Sequence, residues 1–322
     1  LHYLKEYLAA GTWVILSGYE HRKQQEIVKQ WLEDFQIEIV QVTSIDTGLV
    51  ALRIKEDSQN SSGEGTSLAS STPVSLIITV FNREEFLSRT IESILTQTHK
   101  NFELIIWDDG STDDSLEIAH YYATQDSRIR VIAAPHQGRG IALAEACAMS
   151  RGTYLGLVDS DDLLAETALE ETVQLLDLHP DIGLVYSDYI IIDENDNFKS
   201  YGQHCEIPYS KDRLLTEFMV FHFRLLRRTV YDNIGGFNPQ YAVCQDLELC
   251  LRASEVTDFL QLRKPLYYYR HHQSSISCEK RVEQVLQGKR AIEEALELRG
   301  MTEEYGLDFQ VFATCTLYRK GL

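Results

Sequence analysis

From residue 74 onward the chain alternates short β-prone apolar runs with segments of helical period, an alternation that few folds accommodate. VSLIITVF (74–81) is almost continuously apolar, as a strand covered on both faces requires. REEFLSRTIESILTQ follows, with Leu87, Ile91, Ile94 and Leu95 at helical spacing. FELIIW (102–107), IRVIAA (129–134), TYLGLV (153–158) and IGLVYSDYIII (182–192) repeat the strand pattern. Between them lie the helical segments DSLEIAHYYA, IALAEACAMS and ETALEETVQLL, the last with Leu169, Val173 and Leu176 on one face. Strands alternating with helices predict an α/β fold built on a mostly parallel sheet with helices on both faces. Ligands bind such sheets beyond the carboxyl ends of the strands, which is where the polar clusters of this sequence fall.

The first strand delivers Thr79 and then Phe81-Asn82, the second ends in Asp108-Asp109-Gly110-Ser111, and the fourth ends in Asp159-Ser160-Asp161-Asp162. Carboxylates one residue apart, just past a strand, can both aim at a hard divalent cation, which prefers oxygen ligands. Taken singly, DSDD reads better as an Asx-turn with a helix N-cap, and DDGST is ambiguous, since Asp-Gly is a common turn signal. A dehydrogenase would need a glycine-rich phosphate turn after the first strand, and VFNRE offers none.

Residues 57–72, DSQNSSGEGTSLASST, hold six serines and two glycines and read as a flexible linker. The linker divides the chain into a small α/β piece (1–56) and a longer domain. In the small piece TWVILS (12–17), IEIVQV and GLVALRI read as strands, and HRKQQEIVKQWLEDF (21–35) as a helix with Ile27, Trp31 and Leu32 on one face. GTWVILSG with that helix and strand pair resembles the C-terminal end of a class I methyltransferase of the ribosomal-protein-methylating kind. The glycine-rich turn that holds the methyl donor in such folds is absent, so the expectation is a remnant without that activity.

Several separated motifs of the longer domain agree in order and spacing with one family. PVSLIITVFNREEFLSRTIESILTQTHKNFELIIWDDGSTDDS, followed by RGTYLGLVDSDD, resembles the inverting family 2 glycosyltransferases of the GT-A fold, over roughly residues 73–278. The resemblance implies transfer of a sugar from a nucleotide-sugar, most often a UDP-sugar, to the hydroxyl of a glycan, lipid-linked or protein acceptor in polysaccharide or glycoconjugate synthesis. Thr79 and Asp109 match positions that hold uracil and ribose, Phe81 would pack beside the base, and Asp108 is a weaker contact that orients the turn. Asp159 and Asp161 match the family's DxD, with Asp161 a direct ligand of Mn or Mg and Asp159 nearer the ribose and the metal. Asp162 is expected to cap the following helix.

IGGFNPQYAVCQDLELCLRA (234–253) resembles the family segment ending in Glu-Asp. Gln245 departs from that pair and Asp246 keeps it, which makes Asp246 the expected general base. Gly235-Gly236-Phe237 reads either as the acceptor side of the pocket or as a plain turn. In LYYYRHHQSSIS (266–277), His272 aligns with the histidine that completes the metal and diphosphate site, and Arg270 is placed to offset diphosphate charge. Relatives often carry Arg-Asn in the helix before the fourth strand, where Leu143-Ala144 stand here. The alternative reading is a catalytically inactive nucleotide-binding or interaction module of the same fold. It draws on a C-terminal helical extension (279–322) whose Val282, Val285, Ile292 and Leu296 would form an apolar face.

Charge and composition narrow the partners. With 30 Lys and Arg against 49 Asp and Glu, the chain carries a formal charge of −19 and lacks the basic footprint of a nucleic-acid binder. An anionic substrate must therefore be held by local devices. No apolar run reaches the ~18–20 residues of an integral membrane segment. The six cysteines show no CxxC or framework spacing, which fits a reducing, cytoplasmic compartment. The absence of a signal peptide and the start at Leu1 lead to the expectation of an intracellular piece of a longer protein.

Overall fold

The computed structural model describes residues 72–272 and 280–307 in full, together with the backbone of three earlier strands. The chain divides into two compact units, Leu1–Ser67 and Leu68–Leu322, with the boundary inside the serine-rich stretch.

In the first unit, β1 (Trp13–Ser17), β2 (Ile39–Ile45) and β3 (Leu49–Ile54) form a sheet of order β1-β3-β2, antiparallel throughout. The expected strands are present. The expected helix over 21–35 and all but the last residue of the expected linker over 57–72 lie outside the described residues.

The second unit is built on a nine-stranded sheet. Its strands are β4 (Val74–Val80), β5 (Phe102–Asp108), β6 (Ile129–Ala133), β7 (Tyr154–Leu157), β8 (Leu163–Leu164), β9 (Ile182–Ile192), β10 (Phe198–Tyr201), β11 (Arg224–Arg227) and β12 (Asp258–Arg270). The order is β6-β5-β4-β7-β11-β9-β12-β8, with β10 on β9. The four strands β6-β5-β4-β7 are parallel, as the alternation predicts. Beyond them the sheet becomes mixed: β11 runs antiparallel between β7 and β9, and β12 returns parallel to β9.

The alternating side chains of β4 explain why its seven residues are all buried. Leu76, Ile78 and Val80 pack with Leu87, Ile91 and Ile94 of α1 (Leu87–Leu95), Ala119 of α2 (Ser115–Gln125) and Leu169, Val173 and Leu176 of α4 (Ala168–Leu178). Ile77 faces the other way, with Ile105 and Trp107, onto Ala142 and Ala146 of α3 (Arg139–Ala148). The same layer takes in Leu249 of α6 (Gln245–Ala253) and Ala291, Ile292, Ala295 and Leu296 of α7 (Arg281–Leu298); a short α5 (Arg228–Asn233) follows β11.

The C-terminal helix corrects the expected apolar face. Ile292 and Leu296 are buried as expected, but Val282 is 71% exposed, and the rest of the buried stripe is made by Gly288, Ala291 and Ala295. Small residues let α7 lie close to α6: Gly288 faces Leu247 and Cys244, and Cys244 Sγ donates to the Gln284 carbonyl at 3.1 Å. No helix among the described residues is long and apolar enough to cross a membrane.

Candidate active site

The carboxyl ends of β4, β5 and β7, the first turns of α3 and α6, and the end of β12 surround a cavity of about 580 Å³. Thr79, Phe81, Asp109, Asp159, Asp161, Asp246 and Arg270 all border it. Motifs spread over 190 residues of sequence are thus brought together because every strand of the parallel half ends on this side.

The turn after β4 is fastened to the loop after β5. Asn82, at φ 52°, accepts from Thr112 N–H at 2.8 Å through its side chain, and its own N–H donates to Ser111 Oγ at 3.0 Å. Arg83 N–H donates to Ser115 Oγ at 2.8 Å. These bonds hold Phe81 at the rim, 40% exposed, where its ring stacks on His136 with centroids 4.1 Å apart. The pair makes an aromatic wall that can take the face of a planar base.

The two aspartates of the β5 loop have different tasks. Asp109 accepts from the Gln137 and Gly138 N–H groups, each at 2.9 Å, and meets His136 Nδ1 at 2.9 Å, so it fixes the loop leading into α3 while bordering the cavity. Asp108 is buried away from the cavity wall and accepts from the N–H groups of Gly110 and Ser111, which orients the turn.

In the DSDD segment, Asp159 bonds to Arg139 Nη2 and lies 3.9 Å from His222 Nε2. Burial works against ionisation of Asp159, but Arg139 and then His222 outweigh it and hold its carboxyl at about 2. Asp161 Oδ2 meets His272 Nε2 at 2.9 Å and Arg83 Nε at 3.1 Å. Asp162 corrects the expected helix cap: it accepts from Tyr267 Oη and from Arg270 N–H, both at 2.7 Å, and so anchors β12 under the site. Burial, with Asp161 and Asp159 beside it, raises its pKa well above the usual carboxylate range.

Arg270 is fully buried. It is tied to the Asp196 carboxylate, to Asp161 O at 2.6 Å and to Asp193 O at 3.0 Å, with one nitrogen lacking a protein partner among the described residues. Its guanidinium therefore braces the DSDD turn against the β9–β10 hairpin as well as bordering the cavity.

The donor set suits a hard or borderline divalent cation. Asp159 and Asp161 present carboxylate oxygens to the cavity, whereas His272, bonded through Nε2 to Asp161, is not on the cavity wall and does not join them in a converging set of ligand atoms among the described residues. A second imidazole is also at hand, since ligand atoms of Asp159, Asp162 and His222 lie within 4.8 Å of one another. Burial, aided by Arg224, pushes the His222 pKa down to about 4, which leaves the ring neutral at pH 7 and able to donate a lone pair.

Across the cavity, Asp246 sits in the first turn of α6, one third exposed. Its Oδ2 lies 3.3 Å from Arg224 Nη1, and its Oδ1 accepts from Leu247 N–H. Gln245 is turned inward and donates to Ala242 O at 2.6 Å. Of the Gly235-Gly236-Phe237 turn, Phe237 borders the cavity, while both glycines hold positive φ and Gly236 backs onto Tyr231.

Several residues of this wall carry no motif in the sequence, among them Arg83, His136, Arg139, His222 and Arg224. One signal was available for Arg139. Leu143, standing where relatives often carry arginine, is buried on the cavity wall, and Arg139 lies one helical turn earlier on the same face of α3.

Solved structures define the class. The chain superposes on S. aureus TarS 1–349 in complex with UDP with a TM-score of 0.56 at 19% identity, covering 70% of this chain and 65% of that one. It superposes on the mannosyltransferase PcManGT from Pyrobaculum calidifontis in complex with GDP-Man and Mn²⁺ with a TM-score of 0.57 at 14% identity, covering 70% and 64%. The second unit therefore has the GT-A glycosyltransferase fold.

The family follows from sequence. The model for glycosyl transferase family 2 matches residues 75–235, half of the chain, and the protein belongs to that family. Chondroitin synthase of Escherichia coli is 32% identical over 207 residues, 64% of this chain and 30% of that protein. Hyaluronan synthase of Pasteurella multocida is 28% identical over 207 residues, 64% of this chain and 21% of that protein. The chain thus spans less than a third of either synthase. The family match begins at residue 75, and the methyltransferase resemblance of residues 1–56 is unsupported.

Proposed function

We propose that this domain transfers a sugar, with inversion at the anomeric carbon, from a UDP-sugar to an acceptor hydroxyl in polysaccharide or glycoconjugate synthesis. The observation that carries the reading is the meeting of Asp159, Asp161 and Asp246 around one cavity that also bears the Phe81–His136 wall. TarS with UDP and the mannosyltransferase with Mn²⁺ support the choice of nucleotide and metal through the shared fold.

In this reading Phe81 stacks on the base, and Thr79 and Asp109 bind the uridine edge, with Asp108 setting the turn that carries Asp109. Asp159, Asp161 and His272 hold Mn²⁺ or Mg²⁺, which when bound supplies Lewis-acid stabilisation of charge on the departing diphosphate. Arg270 keeps the DSDD turn in place and adds positive charge behind it. Asp246 accepts the proton of the acceptor hydroxyl as that oxygen attacks opposite the leaving group. A carboxylate is a modest base, so Asp246 acts by position and takes the proton late. The lack of a long apolar helix among the described residues is compatible with a cytoplasmic enzyme that adds single sugars.

Incubation with Mn²⁺ and a panel of UDP-sugars, with UDP release and the product anomer followed by NMR, tests the reading. An α-linked donor should yield a β-linked product. An α-linked product would refute inversion, and the lack of UDP release from any sugar would refute the choice of nucleotide.

A further inference from the structure

We propose that Arg139 and Arg83 are exchangeable counter-ions, which neutralise Asp159 and Asp161 and move onto the donor's diphosphate when a divalent cation takes those carboxylates. The inference rests on the donor-site reading above and concerns what these two arginines do within it.

The local charge differs from the global charge. The chain carries −19, yet the cavity wall bears five basic side chains, Arg83, Arg139, Arg224, Arg270 and Lys280, against four aspartates. Two of the five are committed elsewhere. Arg270 is tied to Asp196 and to backbone carbonyls, and Arg224, buried, donates to Val220 O at 2.8 Å and to Asp246.

Arg139 and Arg83 are bonded to the carboxylates that a metal must use, Arg83 through Nε while its Nη1 donates to Asn82 O at 2.9 Å. Arg139 Nη2 bonds Asp159 Oδ1, and Arg83 Nε lies 3.1 Å from Asp161 Oδ2. A guanidinium and a divalent cation on the same oxygens repel each other and compete for the same lone pairs. Each arginine must give way, and the anion brought in beside the carboxylates is the diphosphate, to which guanidinium binds well. Both side chains can make that move because their backbones are anchored at the rim. Arg139 opens α3 just after Gly138, and Arg83 follows Asn82 in the fastened turn.

The consequence is a pair of effects of opposite sign from one residue. Arg139 weakens binding of the metal alone and strengthens binding of the metal with a nucleoside diphosphate. A residue that merely shaped the pocket would move both in the same direction.

The test uses the full chain and two titrations: Mn²⁺ alone, followed by the EPR signal of free Mn²⁺, and UDP at saturating Mn²⁺, followed by calorimetry. Arg139→Gln should bind Mn²⁺ alone several-fold more tightly than the wild type and UDP about tenfold more weakly, the order expected for one lost charge-assisted hydrogen bond. Arg83→Gln should show the same opposed pair and serves as the second variant if Arg139→Gln does not fold. Loss of both affinities together, or no change in either, would overturn the proposal. A wild-type protein that bound neither Mn²⁺ nor UDP would overturn the donor-site reading itself, and this inference with it.

Discussion

Asp246 and Asp159 are both aspartates on one cavity wall, and their surroundings assign them different work. Asp159 is held ionised by Arg139 against burial, as suits a group that binds positive charge. Asp246 is one third exposed at the start of α6, with Arg224 orienting one oxygen. Asp246→Asn should lower kcat by ~10²–10⁴-fold while leaving UDP affinity within about twofold, because the amide keeps the shape and loses the base. Calorimetry and initial rates on the same preparation would check this, and a parallel loss of UDP binding would move Asp246 to the donor site. Residues that sit in matched motifs, such as Asp159 and Asp161, could be placed at the cavity from the sequence because spacing carries their signal, whereas His272 reaches it only through its bond to Asp161. Arg83 and His222 could not, since a single Arg in a turn or a single His between aromatic residues has no periodicity to reveal that it faces a cavity. The Phe221-His222-Phe223-Arg224 run reads as core, and most of it is buried.

At the scale of elements, the parallel strands and their helices were legible because each is long, apolar and regular, with Leu87, Ile91, Ile94, Leu169, Val173 and Leu176 fully buried as the spacing implied. β12 was less so, since Arg263, Lys264 and Pro265 interrupt its pattern where its pairing with β9 shifts register. The face of α7 was legible in part: Ile292 and Leu296 are buried as their spacing implied, whereas small residues rather than Val282 complete the stripe.

One unforeseen stitch also belongs to this scale. Glu103 of β5 accepts from Ser75 Oγ of β4 and from Arg151 N–H before β7, both at 2.6 Å, and pairs with Arg130 of β6. Burial opposes its ionisation, but the bond from Ser75 and the others outweigh it and lower its pKa. The stabilisation it gives is therefore present above the unfolded pKa of 4.5 and is lost as pH falls through the folded value. Glu103→Gln should cost about 1 kcal/mol at pH 7, a fall in Tm of roughly 2–4 °C, and the gap should narrow as the pH falls below 4.5. A gap that widened on acidification would contradict the assignment.

At the scale of the molecule, the split between Leu1–Ser67 and Leu68–Leu322 separates the family 2 domain from the preceding unit. The whole cavity wall belongs to the second unit. Residues 68–322 alone should therefore fold and bind UDP with the affinity of the full chain, as thermal melting and calorimetry would show. A loss of binding would give the first unit a part in the site. The fold class was legible at this scale because alternating elements and strand-end polar clusters constrain topology. The turn from parallel to mixed pairing beyond β7 was not, since it depends on which distant strands meet.

The proposed activity requires that Asp159 and Asp161 form a metal-dependent diphosphate site, and the most direct test is calorimetric titration with UDP, with and without Mn²⁺, on the wild type and on Asp161→Ala. The account predicts that UDP binds the wild type with Mn²⁺ present, much more weakly without it, and that Asp161→Ala abolishes the difference. Equal UDP binding with and without Mn²⁺, or a metal dependence that survives Asp161→Ala, would contradict it.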